Sequence, residues 1–237
     1  MTLRLFFMRH GETSWSLSGQ YTGRADIPLT AHGEDEARQL GKRIRSIPFD
    51  HVLTSPLQRA RHTGELAGLP QHAEIDPDLA EWDNGDYEGR TPAEVLASRP
   101  DWNLFRDGCP HGESPQQISA RADRLIHRLT DLDGNVALFS HSHLGRVLAV
   151  RWIGLAVEHA QHLLLNTASL SVLCCEHDRS EERAIALWNS PPFDTFGALS
   201  NQDAGVTASL NERSIERWEN EGGEILLPLQ KPPKSTS

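Results

Sequence analysis

The feature that most constrains this fold is an alternation of short apolar runs with longer amphipathic segments. Residues 3–8, 51–54 and 136–140 form apolar runs of the length of buried strands, and residues 170–176 and 184–188 predict two further strands. Because helical patterns separate the first three runs, these strands are expected to lie parallel in one sheet. The predicted class is therefore α/β, a three-layer sandwich with a mainly parallel central sheet flanked by helices.

The helical segments carry start signals as well as apolar stripes. Four helices are predicted: one capped by Thr30, and others over residues 55–67, 114–132 and 143–153. Ser55 is predicted as an N-cap with Pro56 in the first helical position, and Ser114 as the N-cap of the third helix. Helix N-termini are thereby expected directly after strands.

Two changes in pattern divide the chain. Residues 82–112 are irregular and rich in Trp, Asp and Gly, which predicts loops and short helices forming a small lid over the carboxyl edge of the sheet. Residues 191–237 are polar and rich in Gly and Pro, with one predicted helix near 210–220 and a disordered end at 232–237. We predict a catalytic domain over residues 1–190, followed by a partly disordered C-terminal extension.

Composition argues against several classes of function. The net charge of -10 over 237 residues disfavours nucleic acid and anionic membranes as partners, since both are captured through an excess of Lys and Arg. No apolar stretch reaches the ~20 residues that span a bilayer, and the first run is too short for a secretory signal. A soluble, cytoplasmic protein is expected. Cys109, Cys174 and Cys175 lack disulfide or zinc spacing, which favours free thiols.

Basic side chains follow three of the predicted strands. Arg9 and His10 follow the first, Arg59 lies soon after the second, and His141 follows the third. Because the carboxyl ends of parallel strands meet at one edge, these side chains are expected to face one crevice beside helix N-termini, which attract anions. An arginine fork suits phosphoryl oxygens, and its charge stabilises a transferring phosphoryl group without a metal. The sequence predicts a phosphate pocket with no cofactor.

A histidine can serve as the nucleophile of such a pocket. A neutral imidazole nitrogen is available near physiological pH and forms an N–P bond, which divides hydrolysis into two easier steps. The leaving alkoxide then needs a proton. Glu81 lies just before the Gly-rich lid, where it can donate this proton and later activate water. We predict His10 as the nucleophile and Glu81 as the proton donor.

Other interpretations of these residues stay open at this point. Arg–His pairs are frequent on protein surfaces, Arg59 can be an exposed helix residue, and Glu81 can be a solvated carboxylate. His141 and His143 can belong to a metal site, although no third ligand lies at a spacing that completes one. Four aromatic residues either line a lid over a sugar or aromatic leaving group or pack in the core: Trp15, Tyr21, Trp82 and Trp102.

The motifs occur in a fixed order along the chain. They are Arg9-His10-Gly11-Glu12-Thr13, Thr22-Gly23, Thr54-Ser55-Pro56-Leu57 with Arg59, Leu79 with Glu81, Gly112-Glu113-Ser114, and Ser140-His141. In order and spacing they resemble the histidine phosphatase superfamily, also called phosphoglycerate mutase-like. The resemblance implies His10 as the phosphorylated nucleophile and Glu81 as the proton donor. It implies a phosphate pocket formed by Arg9, Arg59 and His141.

The resemblance also implies site residues in the first loop and at one position where serine replaces the usual glycine. Ser16, Thr22 and Gly23 fall where the family's first loop touches substrate or phosphate, and Tyr21 of the same loop joins the predicted substrate-binding set. Ser142 stands where the family usually has glycine. Its N–H is expected to donate to phosphate, although a positive φ at this serine would be strained.

The length of the lid bears on the fate of the phosphoryl group. Cofactor-dependent mutases of the family carry a long insertion between the equivalents of Glu81 and Gly112, and here the segment is short. Phosphohistidine is then expected to be open to water, which favours hydrolysis. Residues 20–30 and 107–110 resemble the branch of sedoheptulose-1,7-bisphosphatase and broad acid phosphatases.

The predicted function is a metal-independent phosphomonoesterase that hydrolyses small phosphorylated metabolites, with sugar phosphates favoured. Its partner is a small-molecule phosphate ester. A homo-oligomer is one open alternative for the assembly. Two rival functions stay open: a phosphoglycerate mutase, and an inactive module that binds a phosphorylated ligand.

Overall fold

One six-stranded sheet covered by helices on both faces makes up the fold. A computed structural model describes residues 3–69, 73–176 and 182–192. The strands are β1 (Arg4–Arg9), β2 (His51–Thr54), β3 (Glu74–Ile75), β4 (Asn135–Ser140), β5 (Leu170–Cys175) and β6 (Arg183–Ser190). The helices are α1 (Ser14–Ser18), α2 (Ala31–Ile44), α3 (Gln58–Leu66), α4 (Pro92–Ser98), α5 (Leu104–Asp107), α6 (Pro115–Thr130) and α7 (Ser142–Trp152). The helix predicted near 210–220 and the predicted disordered end lie outside the described residues.

The strand order places β2, β4 and β1 side by side. The order is β3-β2-β4-β1-β5-β6, in which the first four strands are parallel, β5 is antiparallel to β1, and β6 is antiparallel to β5. Arg9 pairs with Ser140, and Thr54 pairs with Phe139. The carboxyl ends of these three strands therefore lie level with one another. The predicted α/β class with a mainly parallel sheet is confirmed.

Apolar side chains project from both faces of the central strands. Leu5 and Phe7 of β1 point into one core with residues of α6 and α7, whereas Phe6 and Met8 point into a second core with residues of α2 and α3. Successive strand residues face opposite sides, so burial of both faces requires an uninterrupted apolar run. This explains why the central strands are continuously apolar in sequence.

Two of the predicted helix caps are confirmed and one is wrong. The hydroxyl of Thr30 accepts from Gly33 N–H at 3.0 Å, and Ser114 forms a capping box at the start of α6. Helix α3 begins only at Gln58, after the predicted cap Ser55. The Gln58 N–H instead donates to the carboxylate of Asp26 at 2.7 Å. Ser55 is fully buried, and its hydroxyl contacts an imidazole of the site.

The loops around the carboxyl edge contain short helices. The stretch from residue 11 to residue 30 includes α1, which is held by a capping box between Thr13 and Ser16. The predicted lid holds α4, α5 and a 3-10 turn at Gly85–Tyr87. Trp82 and Trp102 of the lid are buried and make edge-on ring contacts, so both are packing residues.

Candidate active site

The two predicted site histidines meet at the carboxyl ends of β1 and β4. The backbone N–H of His10 donates to the carbonyl of Ser140 at 3.0 Å, which continues the pairing of these strands by one residue. The ring centroids of His10 and His141 lie 5.2 Å apart. Parallel pairing in this register thus brings together two imidazoles that are separated by most of the domain in sequence.

The His10 ring is held in one tautomer. Its Nδ1 lies 2.7 Å from the carbonyl oxygen of Gly11, the next residue. A carbonyl oxygen only accepts hydrogen bonds, so Nδ1 carries the proton and the lone pair of the neutral ring is on Nε2. Nε2 is therefore the nitrogen suited to nucleophilic attack. Gly11 is fixed in turn, because its N–H donates to the hydroxyl of Thr63 at 3.0 Å.

His141 is held neutral by its surroundings. The Arg59 Nε–H donates to His141 Nδ1 at 3.2 Å, so the ring proton lies on Nε2 and donates to the Ser55 hydroxyl at 2.7 Å. Complete burial, followed by the charge of Arg59, holds the pKa of His141 well below its usual 6.5. The imidazole can thus donate one directed N–H without adding charge.

Arg59 is fully buried and joins His141 to the first loop. Its two terminal nitrogens donate to the carbonyls of Thr22, Gly23 and Ala25 at 2.7 to 3.2 Å. Burial is the main cause that lowers the pKa of Arg59 to about 10, so the guanidinium is still charged at neutral pH. The proposed anion-binding charge therefore lies inside the protein, where solvent screens it weakly.

Arg9 supplies a second buried guanidinium beside the histidines. Its Nη1 donates to the carbonyl of Leu165 at 2.5 Å, and its backbone N–H donates to Ser169. The Ala168 N–H donates to the carbonyl of His10 at 3.0 Å. Hydrogen bonds to the loop before β5 therefore hold both Arg9 and His10 in place.

Glu81 lies at the N-terminus of α7. Its carboxylate accepts from the N–H groups of His143 and Leu144, in the first turn of that helix, and from Trp82 N–H, at 2.9 to 3.1 Å. His143 Nδ1 also lies 3.7 Å from the carboxylate. With only 7% of the residue exposed, Glu81 is not a solvated surface carboxylate. The helix that follows His141 therefore brings Glu81 to the same edge as the histidines.

The predicted substrate-loop residues have their polar groups engaged within the protein. The Ser16 hydroxyl accepts from Thr13 N–H and donates to the Thr13 carbonyl, and the Thr22 hydroxyl donates to Gln20. The Gly23 N–H donates to Glu88. Tyr21 is buried, with its ring 5.6 Å from Trp102. In this arrangement these residues shape the loop, and their contact with a substrate stays a prediction.

Ser142 adopts an ordinary helical conformation. It is the first residue of α7, and the non-glycine residues with positive φ in the described chain are His111, Ala168 and Asn189. The strain considered for a serine at a glycine position is therefore absent. Ser142 lies at the start of a helix, where free N–H groups attract anions. The contact between its N–H and phosphate stays a prediction.

Glu88 is a site residue that sequence reasoning missed. Its carboxylate accepts from the N–H groups of Gly23, Arg24 and Ala25 at 2.8 to 3.3 Å. Arg59 binds carbonyls of the same loop, so the loop is held from both sides by opposite charges. Nothing in the sequence indicates which backbone groups Glu88 binds.

Arg121 was also missed, although one signal was available, and Glu113 was noted only as part of the Gly112-Glu113-Ser114 motif. Arg121 lies within the apolar stripe of α6, which includes Ile118, Ala122 and Leu125, and an arginine in such a stripe must be buried with a partner. It binds Glu113 and the backbone around Glu81. A search of the apolar face for charged residues would have found it.

The described residues contain neither a metal-binding cluster nor a membrane-spanning helix. Among them, no group of three or more His, Cys, Asp and Glu side chains is arranged to hold a metal ion. None of the helices in the described part of the chain is long and apolar enough to cross a membrane.

Comparison with known proteins shows which family this chain resembles. Residues 5–190 match the model of the histidine phosphatase superfamily (branch 1). The chain is 36% identical over 192 residues to an acid phosphatase of Mycobacterium tuberculosis, covering 79% of this chain and 94% of that protein. It is 38% identical over 190 residues to the sedoheptulose 1,7-bisphosphatase of Saccharomyces cerevisiae, covering 67% and 70%.

A solved structure and a more distant relative complete the comparison. The solved structure of an open reading frame from Mycobacterium tuberculosis has a TM-score of 0.77 and 34% identity, covering 81% of this chain and 100% of that one. A protein of Citrobacter koseri called a probable phosphoglycerate mutase is 31% identical over 220 residues, covering 88% of this chain and 99% of that protein. Both phosphatases and a probable mutase are therefore similar to this chain.

Proposed function

Because the chain belongs to the histidine phosphatase superfamily and is a phosphatase, we propose that it hydrolyses small phosphorylated metabolites through a phosphohistidine on His10, without a metal. The observation that carries this proposal is the His10 tautomer. The Nδ1–H bond to the Gly11 carbonyl, 2.7 Å long, puts the lone pair on Nε2. The ring lies 5.2 Å from that of His141, at an edge shared with Arg9 and Arg59.

The proposed reaction has two steps. His10 Nε2 attacks phosphorus, the bond to the ester oxygen breaks, and the leaving alkoxide takes a proton from Glu81. Water then attacks phosphorus, its proton passes to Glu81, and the N–P bond breaks to release inorganic phosphate. The two buried arginines are proposed to stabilise the charge of the phosphoryl group in both steps, and the His141 N–H is proposed to join them when the phosphoryl group takes the place of its Ser55 contact.

Sugar phosphates are the favoured substrate class. This part of the proposal is supported by the similarity to sedoheptulose 1,7-bisphosphatase, with 38% identity over 190 residues. A screen of phosphate release over sugar monophosphates, sugar bisphosphates, phosphoglycerates and nucleotides, ranked by kcat/KM, tests it. A nucleotide or a phosphoglycerate at the head of the ranking would contradict it.

The His10 variant tests the chemistry. In His10→Ala, phosphate release is expected to fall by at least about 10³-fold, and the acid-labile protein-bound phosphate trapped during turnover should disappear. His127→Ala, which removes an exposed histidine of α6, is the matched control and should keep full activity. Full activity in His10→Ala would refute the proposal, and so would loss of wild-type activity after dialysis against EDTA.

A mutase is the second candidate, favoured by the similarity to a probable phosphoglycerate mutase, with 31% identity over 220 residues. The short lid argues for water as the acceptor, because the segment between Glu81 and Gly112 lacks the long insertion of the cofactor-dependent mutases. Interconversion of 3- and 2-phosphoglycerate, measured beside phosphate release from the same ester, separates the two. A dominant interconversion rate would identify a mutase, and binding without either reaction would identify an inactive binding module.

A further inference from the structure

Glu81 lies in a segment without regular secondary structure. Residues 81–84 belong to neither helix nor strand, and Glu81 follows a 3-10 turn at Pro77–Leu79. A proton donor must stay within hydrogen-bond reach of the leaving oxygen, and an error of about 1 Å can cost about 10²-fold in rate. Tertiary contacts must therefore hold this backbone in place.

Arg121 binds the backbone of this segment directly. Its Nη1 donates to the carbonyls of Asp78 and Ala80 at 2.9 and 2.6 Å, and its Nη2 donates to the carbonyl of Glu81 at 3.2 Å. The residue is only 9% exposed. One guanidinium thus contacts three carbonyls within four residues, the last of them on Glu81 itself.

Glu113 neutralises Arg121 and holds the other side of Glu81. Its two carboxylate oxygens accept from Arg121 Nε and Nη2 at 2.8 and 2.6 Å, a bidentate pair. The same carboxylate accepts from Asp83 N–H at 3.1 Å, and the Glu113 carbonyl accepts from Trp82 Nε1 at 2.9 Å. The chain is thereby held both before and after the proposed proton donor.

We propose that Arg121 and Glu113 are positioning residues that hold Glu81 for proton donation to the leaving group. The inference rests on the proposed function, in which Glu81 protonates the leaving alkoxide. Neither side chain takes part in bond making or breaking. Their effect acts through the backbone carbonyls and N–H groups on each side of Glu81, and it should be largest where the leaving group most needs a proton.

Leaving groups of different basicity provide the test. An alkyl phosphate such as a sugar phosphate releases a strongly basic alkoxide that must be protonated, whereas p-nitrophenyl phosphate releases a weakly basic phenolate that leaves without help. In Arg121→Lys the charge stays but the planar fork is lost. We expect kcat/KM for the alkyl ester, which reports the step in which the leaving group departs, to fall about 10²-fold, while kcat/KM for p-nitrophenyl phosphate changes by less than about threefold.

Three further variants make the result decisive. Glu113→Gln keeps the shape of the side chain that pairs with Arg121, and it should show the same selective loss. It provides the test if Arg121→Lys folds poorly. Arg128→Lys is the matched control, because Arg128 lies on the same helix and binds the side chains of Asp76 and Asp78 but no backbone near Glu81. It should leave both rates unchanged. Glu81→Gln removes the proton donor itself, so it measures the largest difference in rate loss between the two esters.

The outcomes separate this inference from the proposed function. Combining Arg121→Lys with Glu81→Gln should lower the alkyl-ester rate no further than Glu81→Gln alone, because both changes remove one function. Equal losses for both esters in Arg121→Lys and Glu113→Gln would overturn the positioning role. If Glu81→Gln itself shows no preference between the esters, the role of Glu81 in the proposed function fails instead.

Discussion

The buried neutral state of His141 predicts a loss of stability in acid. Desolvation and the charges of Arg59 and Arg9 hold the folded-state pKa of His141 well below 6.5. In the unfolded chain the imidazole titrates near its usual value, so the unfolded state binds more protons below that pH. The free energy of unfolding must then rise with pH, and it must decrease as pH falls below 6.5.

The size of this effect follows from the slope of the free energy of unfolding against pH. While the ring stays neutral in the folded state, each pH unit below 6.5 lowers the free energy of unfolding by about 1.4 kcal/mol. At pH 5 the contribution of His141 reaches up to about 2 kcal/mol. Bound phosphate would reduce this loss of stability in acid, because an anion favours the protonated ring. The measurement therefore requires acetate or another buffer without phosphate.

Urea unfolding of the wild type and of His141→Asn measures the effect. Asparagine can still accept from Arg59 but does not titrate, so the variant should lose less stability than the wild type between pH 7 and pH 5, by up to about 2 kcal/mol. Other histidines and carboxylates are common to both proteins and cancel in this difference. Equal losses in the two proteins would refute the assignment of a buried neutral His141.

Three further predictions concern a loop, a thiol and a helix cap. Glu88→Gln weakens the charged hydrogen bonds to the loop around Gly23, and KM should rise about tenfold with a smaller change in kcat in steady-state assays. Burial raises the pKa of Cys109 to about 12, so mass spectrometry should find this thiol unalkylated by iodoacetamide at pH 8 until urea unfolds the chain. Ser114→Ala removes the cap of α6 and should lower the free energy of unfolding by about 1 kcal/mol in urea titrations. Thr130→Ala, at the other end of that helix, is its control.

The elements that carry the site could be predicted because their signals are local. A continuous apolar run identifies a strand buried on both faces, as in β1 and β4, and Thr30 and Ser114 mark helix starts because a cap bonds to an N–H only three residues away. One topological rule then brings His10 and His141 together, since parallel strands end at the same edge.

The wrong cap at Ser55 shows where local signals fail. Ser55 followed by proline has the composition of a helix start, yet the helix begins at Gln58 and takes its cap from Asp26, 32 residues earlier in the chain. The Ser55 hydroxyl is 2.7 Å from His141 Nε2. Its partner is 86 residues away, and no sequence window of ordinary length contains both.

By itself the sequence determined the α/β class, five of the six strands in the described residues, and the meeting of Arg9, His10, Arg59 and His141 at the carboxyl edge. Only the tertiary structure decided the tautomer of His10, the neutrality of His141, the capping of α7 by Glu81, and the support that Arg121 and Glu88 give to backbone near the pocket. The physical reason is the range of the interactions. Periodicity and capping act between residues a few positions apart, whereas burial and hydrogen bonds to backbone groups depend on which distant segments the fold brings into contact.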